Sequence, residues 1–162
     1  MFQLTPIGVI RSPHKEAQGT PIQPRWAEEA EGYAEVLPEL VPGLRDLEGF
    51  ERIWLLYWFD HAKPVSLEVV PFMDTQSHGV FATRAPSRPN PIGISTVRLL
   101  GIEGSRLRLS GLDMLDGTPL LDIKPYLPSC DVFEVKGIGW YARAQGDGRA
   151  DARFAATRGE RS

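Results

Sequence analysis

The stretch TVRLLGIEGSRLRLS, residues 96–110, sets two runs of strand-forming residues around Glu103-Gly104-Ser105. A three-residue connection containing glycine is a compact turn, so Thr96–Ile102 and Arg106–Ser110 predict a hairpin. In the second arm Leu107 and Leu109 alternate with Arg106, Arg108 and Ser110, giving one apolar and one wet face. Outward from this hairpin the same kind of run recurs. Leu4–Ile10 is closed by Ser12-Pro13, Tyr33–Leu37 by Pro38 and Val65–Val70 by Pro71. Val80–Thr83, Leu120–Ile123 and Gly137–Ala142 complete the strands. Arg52–Phe59, RIWLLYWF, is continuously apolar and predicts a central strand buried on both faces. Helical signal is limited to a turn over 42–47 and a short terminal helix over 151–157. Fourteen prolines and sixteen glycines favour short elements joined by shaped loops. The fold expected is mainly β: a small closed or nearly closed β-barrel of short strands with few short helices.

Length and composition narrow the function. A chain of 162 residues fits one domain, taken as residues 1–144, with a Gly-, Arg- and Ala-rich tail over 145–162 expected to fray. Apolar residues at 42% and charged residues at 24% exclude a disordered or fibrous chain. The net charge of −3 gives no global attraction for phosphate, so a nucleic-acid partner requires a local basic patch. Positions 25–52 hold eight acids against Arg25, Arg45 and Arg52, whereas 80–110 hold five arginines against Glu103 alone. If tRNA binds, Arg88, Arg98, Arg106, Arg108 and the tail arginines Arg143, Arg149 and Arg153 are expected to meet it, with the acidic stretch Glu28–Glu39 lying away. Solvated strand faces are the plain alternative. The single cysteine, Cys130, excludes an intramolecular disulfide, and the three scattered histidines make a metal site an unfavoured expectation. No apolar run approaches membrane-spanning length and the N-terminus lacks a signal-peptide layout, so a cytoplasmic protein is expected. There is no Rossmann fingerprint, phosphate loop or nucleophile elbow.

Four segments can carry chemistry. Gly79–Ser95, GVFATRAPSRPNPIGIS, packs three prolines and two glycines into a stiff loop presenting Arg84, Arg88 and Asn90. Such a loop can grip a carboxylate or phosphate and orient an amide-bearing ring, or it can simply pair its arginines with nearby acids. Leu112–Tyr126 contains the turn Asp116-Gly117-Thr118-Pro119, with Asp113 and Asp122 beside it. Those carboxylates can accept from ribose hydroxyls or an ammonium group, or serve the turn alone. The apolar strand ends in Asp60 and His61, and Ile10–Gln23 is a polar loop able to form a lid.

Taken together these segments resemble the TsaA-like (YaeB-like) family. The pattern Gly-Val-Phe-Ala-x-Arg-Ala-x-x-Arg-Pro-Asn is complete from Gly79 to Asn90. IGVIRSP, GLRDLEGFERIWLLYWF and DMLDGTPLLDIKPYLP follow the family order, over positions 6–131. The resemblance implies a β-barrel methyltransferase that uses S-adenosyl-L-methionine, working as a homodimer. It implies methylation of N6 of threonylcarbamoyladenosine beside the anticodon of tRNA. By position it implies a cofactor site of Pro21, Ile22, Gln23, Asp60, His61, Arg84, Arg88, Asn90, Ile94, Leu115, Asp116, Gly117 and Thr118. The sequence departs from the family where Pro-Arg-Gln becomes Pro21-Ile22-Gln23, where His-Gln becomes Asp60-His61, and where a basic stretch becomes VVPFMDTQSHG. Longer bacterial members carry a further C-terminal domain. A smaller non-tRNA acceptor, or a cofactor-binding module without catalysis, stays open as an alternative. The proton that the acceptor nitrogen loses has four candidate bases, Asp113, Asp116, His61 and His78, which the sequence leaves unranked.

Overall fold

The computed structural model describes residues 1–17, 19–27, 29–144 and Arg149. The strands are β1 (Gly8–Arg11), β2 (Glu31–Val36), β3 (Arg52–Trp58), β4 (Glu68–Val69), β5 (His78–Gly79), β6 (Ile92–Glu103), β7 (Arg106–Ser110) and β8 (Thr118–Pro125). Six of them close a barrel in the order β1-β2-β7-β6-β3-β8, with every pairing antiparallel and β8 returning to β1. β4 and β5 pair apart from it as a short ribbon. Among the described residues helix is confined to α1 (Pro128–Asp131) and to 3-10 segments at Pro24–Trp26, Pro38–Leu44, Leu47–Gly49, Val80–Ala82 and Gly139–Arg143.

Period-2 alternation fills the barrel. Ile10, Ala34, Val36, Ile53, Leu55, Tyr57, Val97, Leu99, Leu107, Leu109 and Leu120 form one buried cluster, joined by Leu112 and Met114. The β6–β7 hairpin forms as expected, with Glu103 opposite Arg106 and Gly104 at φ +61° in the turn. Closure brings backbones close together. A Cβ on Gly32 would collide with the carbonyl oxygen of Arg11, and one on Gly93 would collide with the Tyr57 ring.

Several expectations are corrected. β3 is buried on one face only: Ile53, Leu55 and Tyr57 point inward, while Arg52, Trp54, Leu56 and Trp58 are half-exposed. A barrel has one interior, so the outward residues find partial cover, as where Trp54 Nε1 donates to Asp131 Oδ2 at 3.1 Å. The N-terminal strand begins at Gly8, not Leu4, and Val65–Val70 contributes only Glu68–Val69. Val80–Thr83 is a 3-10 turn, because the amide and hydroxyl of Thr83 both donate to the Val80 carbonyl, at 3.1 and 2.9 Å. Gly137–Ala142 is not a strand either, and from Gly139, at φ +60°, the chain runs through the 3-10 segment Gly139–Arg143. The helix over 151–157 and, apart from Arg149, the tail over 145–162 lie outside the described residues.

The acidic stretch does not lie away from the arginines. β2 pairs with β7, so Glu35 faces Arg106 and Tyr33 faces Arg108. Arg106 Nη2 is 3.5 Å from Glu35 Oε2, and Arg98 Nη2 donates to Glu51 Oε1 at 2.6 Å. The Arg98 hydrogen bond and charge hold the Glu51 carboxyl below the usual carboxylate range.

Candidate functional site

A cavity of about 1230 Å³ opens where the barrel meets its loops. The ends of β3 and β6 and the loop before β8 supply Tyr57, Gly93 and Asp113 to its wall. The Gly79–Ser95 loop forms one side and Thr20–Gln23 another, while 69–73 and 138–141 add Phe72, Met73, Trp140 and Tyr141.

The loop geometry follows from its own hydrogen bonds. Arg88 Nη1 donates to the carbonyls of Thr83 and Ala85 at 3.0 and 3.3 Å, so this arginine braces the loop from within. Arg84 reaches across the opening, where its Nη1 donates to Gln23 Oε1 at 2.5 Å. On the Thr20–Gln23 side, Arg149 Nη1 donates to the Gly19 carbonyl at 3.1 Å. Trp140 Nε1 donates to the Ala82 carbonyl at 2.7 Å, and its ring stacks on His78 with centroids 4.7 Å apart. The other side of His78 is taken by Asp74, Nε2 to Oδ2 at 2.8 Å, and this bond with the amides of Gln76 and Thr75 holds the Asp74 carboxyl down.

Of the thirteen positions implied by the resemblance, Pro21, Ile22, Gln23, Asp60, His61, Arg84, Arg88, Asn90, Ile94, Leu115 and Thr118 line the cavity. His61, half-exposed, sits at 3.6 Å from Asp60. Asp116 and Gly117 stand outside the lining. Asp116 Oδ1 accepts from the Ser12 amide at 3.1 Å, and Lys15 Nζ lies 2.7 Å from Oδ2. The Lys15 hydrogen bond, with help from Ser12, holds the Asp116 carboxyl low. Gly117 takes φ +83°, where its missing Cβ relieves strain. Thr118 Oγ1 donates to the Leu115 carbonyl at 2.6 Å. The Asp116-Gly117 turn thus presents Leu115 and Thr118 to the cavity, with its aspartate bonded to the first loop rather than to its own backbone.

A chain of buried polar side chains lies on the inner face of the barrel at the same end. Tyr57 and Ser95 are 2.9 Å apart, and Ser95 Oγ donates to Asp113 Oδ1 at 2.7 Å. Burial pushes the Asp113 carboxyl up to about 7, opposed by the Ser95 hydrogen bond and the Arg84 charge. Burial, then the Asp113 charge, raises the Tyr57 hydroxyl well above its ordinary value. The sequence reading missed Tyr57, Ser95 and Trp140 as site residues. For Ser95 a signal exists: it falls in inward phase with Val97 and Leu99, a hydroxyl on a core face. Residues 138–141 carry no periodicity that would have marked Trp140. Among the described residues no group of three or more His, Cys, Asp or Glu could hold a metal ion.

A closed barrel with a loop-built cavity at one end, lined by arginine, amide and aromatic side chains, is a ligand-binding β-barrel. The chain belongs to the tRNA-methyltransferase O N-terminal domain family, whose model matches residues 9–132. A probable S-adenosyl-L-methionine-binding protein of Pyrococcus abyssi is 53% identical over 156 residues, covering 92% of this chain and 85% of that protein. The tRNA (adenine(37)-N6)-methyltransferase of Escherichia coli is 39% identical over 142 residues, covering 78% of this chain and 58% of the enzyme. The crystal structure of TrmO from Pseudomonas aeruginosa superposes with a TM-score of 0.72 at 44% identity, covering 86% of this chain and 62% of that one. The chain therefore spans about three fifths of the length of the bacterial enzymes it matches. No helix among the described residues is long and apolar enough to cross a membrane.

Proposed function

We propose that this chain binds S-adenosyl-L-methionine in the barrel-end cavity and methylates N6 of threonylcarbamoyladenosine beside the anticodon of tRNA. The observation that carries the reading is the convergence of Arg84, Asn90, Gln23, Thr118 and Asp113 on one cavity in a barrel of this family. The cavity of about 1230 Å³ exceeds the roughly 300–1,000 Å³ typical of single small-molecule pockets, leaving room for a cofactor and an acceptor base together. Its residues fit the cofactor's chemistry. Arg84 and Gln23 suit a carboxylate, Asn90 an adenine edge, and Phe72, Met73 and Trp140 apolar and ring surface.

Pro21, Ile22, Gln23, Asp60, His61, Arg84, Arg88, Asn90, Ile94, Leu115 and Thr118 would hold the cofactor directly, with Asp116 and Gly117 shaping the turn behind. When bound, the group supplies an electrophilic methyl on a sulfonium. The protein's task is alignment, and orientation alone can contribute roughly 7–11 kcal/mol. Residues 1–144 are the working domain and 145–162 a tail. The functional unit is a homodimer in the cytoplasm. Phe81, which lines the cavity, and Phe133 and Val135, exposed at 75%, 78% and 67%, support a second copy covering apolar surface.

Calorimetry with S-adenosyl-L-methionine tests the cofactor, and mass spectrometry of tRNA nucleosides from a deletion strain tests the acceptor. Loss of the N6-methylated nucleoside is expected. An unchanged nucleoside profile with cofactor binding retained would move the acceptor to a smaller molecule.

A further inference from the structure

We infer that Asp113 takes the proton that the acceptor nitrogen must lose, with Ser95 and Tyr57 holding its carboxylate in place. The inference rests on the methyl-transfer reading above.

The placement of Asp113 is otherwise unexplained by the fold. Asp113 is buried, and its chain neighbours Leu112 and Met114 both belong to the apolar core. A carboxyl in such a setting is costly unless paired, and Asp113 forms no ion pair with a described residue. Three elements nevertheless converge on it. β3 brings Tyr57 to 2.9 Å from Ser95, β6 brings Ser95 to 2.7 Å from Asp113, and the loop before β8 sets Asp113 in the cavity wall. Ser95 donates to Oδ1 and so anchors one oxygen of the carboxylate.

Two of the other candidates are engaged outside the cavity lining, and the third is more exposed than Asp113. Asp116 is bonded to Lys15 and Ser12 outside the cavity lining. His78 lies between Asp74 and Trp140. His61 is half-exposed at the rim beside Asp60. The charged and titratable groups acting on Asp113 are Arg84 from the signature loop and Tyr57 from β3; His14 bonds the Leu112 carbonyl one residue upstream.

The step balances. The N–H proton passes to the Asp113 carboxylate, the nitrogen lone pair forms the new N–C bond, and the C–S bond breaks to leave a neutral thioether. A carboxylate and a sulfonium become a neutral acid and a neutral sulfide, so charge is annihilated within a site of low dielectric. The rise of Asp113 to about 7 leaves both forms populated at neutral pH, as general-base catalysis requires.

The test uses the full chain with tRNA and S-adenosyl-L-methionine. Asp113→Asn keeps an acceptor for Ser95. It is expected to lower kcat by about a hundredfold or more while calorimetric affinity for S-adenosyl-L-methionine changes less than about threefold. Carbon-13 NMR of the aspartate carboxyls should show one group titrating near 7 that is missing from Asp113→Asn. Ser95→Ala removes the bond that favours the carboxylate, so that titration and the acid limb of the rate profile should move up in pH together. Unchanged kcat in Asp113→Asn, or a rate profile that stays put while the Ser95→Ala titration moves, would overturn the inference alone. Should Asp113→Asn fail to fold, the Ser95→Ala pair of measurements decides it. No methyl transfer by the wild-type chain would overturn the function reading as well.

Discussion

Glu35 on β2 and Arg106 on β7 stand opposite each other across the barrel wall, carboxylate to guanidinium at 3.5 Å, with the guanidinium carbon 4.3 Å above the Tyr33 ring. The arginine-rich segment and the acidic segment are therefore one mixed-charge surface. Arg98 repeats the arrangement with Glu51. An arginine already facing a carboxylate offers little net attraction to a phosphate.

Arg106→Ala should change cofactor and tRNA affinity by less than about threefold, since exposed pairs contribute about 0.2–1 kcal/mol. Arg84→Ala should weaken S-adenosyl-L-methionine binding by roughly tenfold or more, the scale of a charge-assisted hydrogen bond. Calorimetry on both variants checks this. Equal losses would indicate general charge rather than a site.

Lys63, in the cavity lining and given no part in holding the cofactor, is a cation expected to meet a tRNA strand. Each phosphate neutralised contributes about −0.7 to the logarithmic salt slope for a single strand. Lys63→Ala should make that slope shallower by about 0.7, whereas Arg98→Ala with Arg106→Ala should leave it nearly unchanged. Binding titrations from low to moderate salt distinguish the two surfaces.

Stability should fall as pH rises from about 4 to 7 because of Asp113. Its folded pKa of about 7 lies above the ordinary value of 3.8, so the folded state retains a proton that the unfolded chain has released. The resulting penalty begins to grow near pH 4 and is complete above about 7, reaching a few kcal/mol. Asp113→Asn should remove it. Urea unfolding should therefore find the variant more stable relative to wild type at pH 8 than at pH 5. A difference independent of pH would mean that Asp113 is charged in the folded protein.

Gly93→Ala should destabilise the barrel by about 1–3 kcal/mol or more, because the added Cβ runs into the buried Tyr57 ring. Around Gly43 an added Cβ would meet nothing within 4 Å, and Gly43→Ala should be neutral or stabilising by up to about 1 kcal/mol. Denaturant midpoints of the two variants provide the comparison.

Features that depend on neighbours within a few residues were legible along the chain. They include the alternation of Leu107 and Leu109 with arginines, the Glu103-Gly104-Ser105 turn and the left-handed Gly117. The intact Gly79–Asn90 pattern also marked the loop that borders the cavity. Which distant segments meet was settled only when the barrel closed. RIWLLYWF carries no mark of which face a barrel will enclose, and residues 80–82 and 139–143 lack a period that would distinguish 3-10 turns from strands. The pairing of β2 with β7, which matched Glu35 to Arg106, follows from closure of the whole barrel. Asp113 and Asp116 show the limit most sharply, being three residues apart and chemically identical in the sequence. Lys15 and the Ser12 amide draw Asp116 toward the charged form, while the barrel interior drives Asp113 toward the neutral one. A carboxyl's proton affinity is set by the dielectric and charges around it, and those come from parts of the chain that only folding brings together.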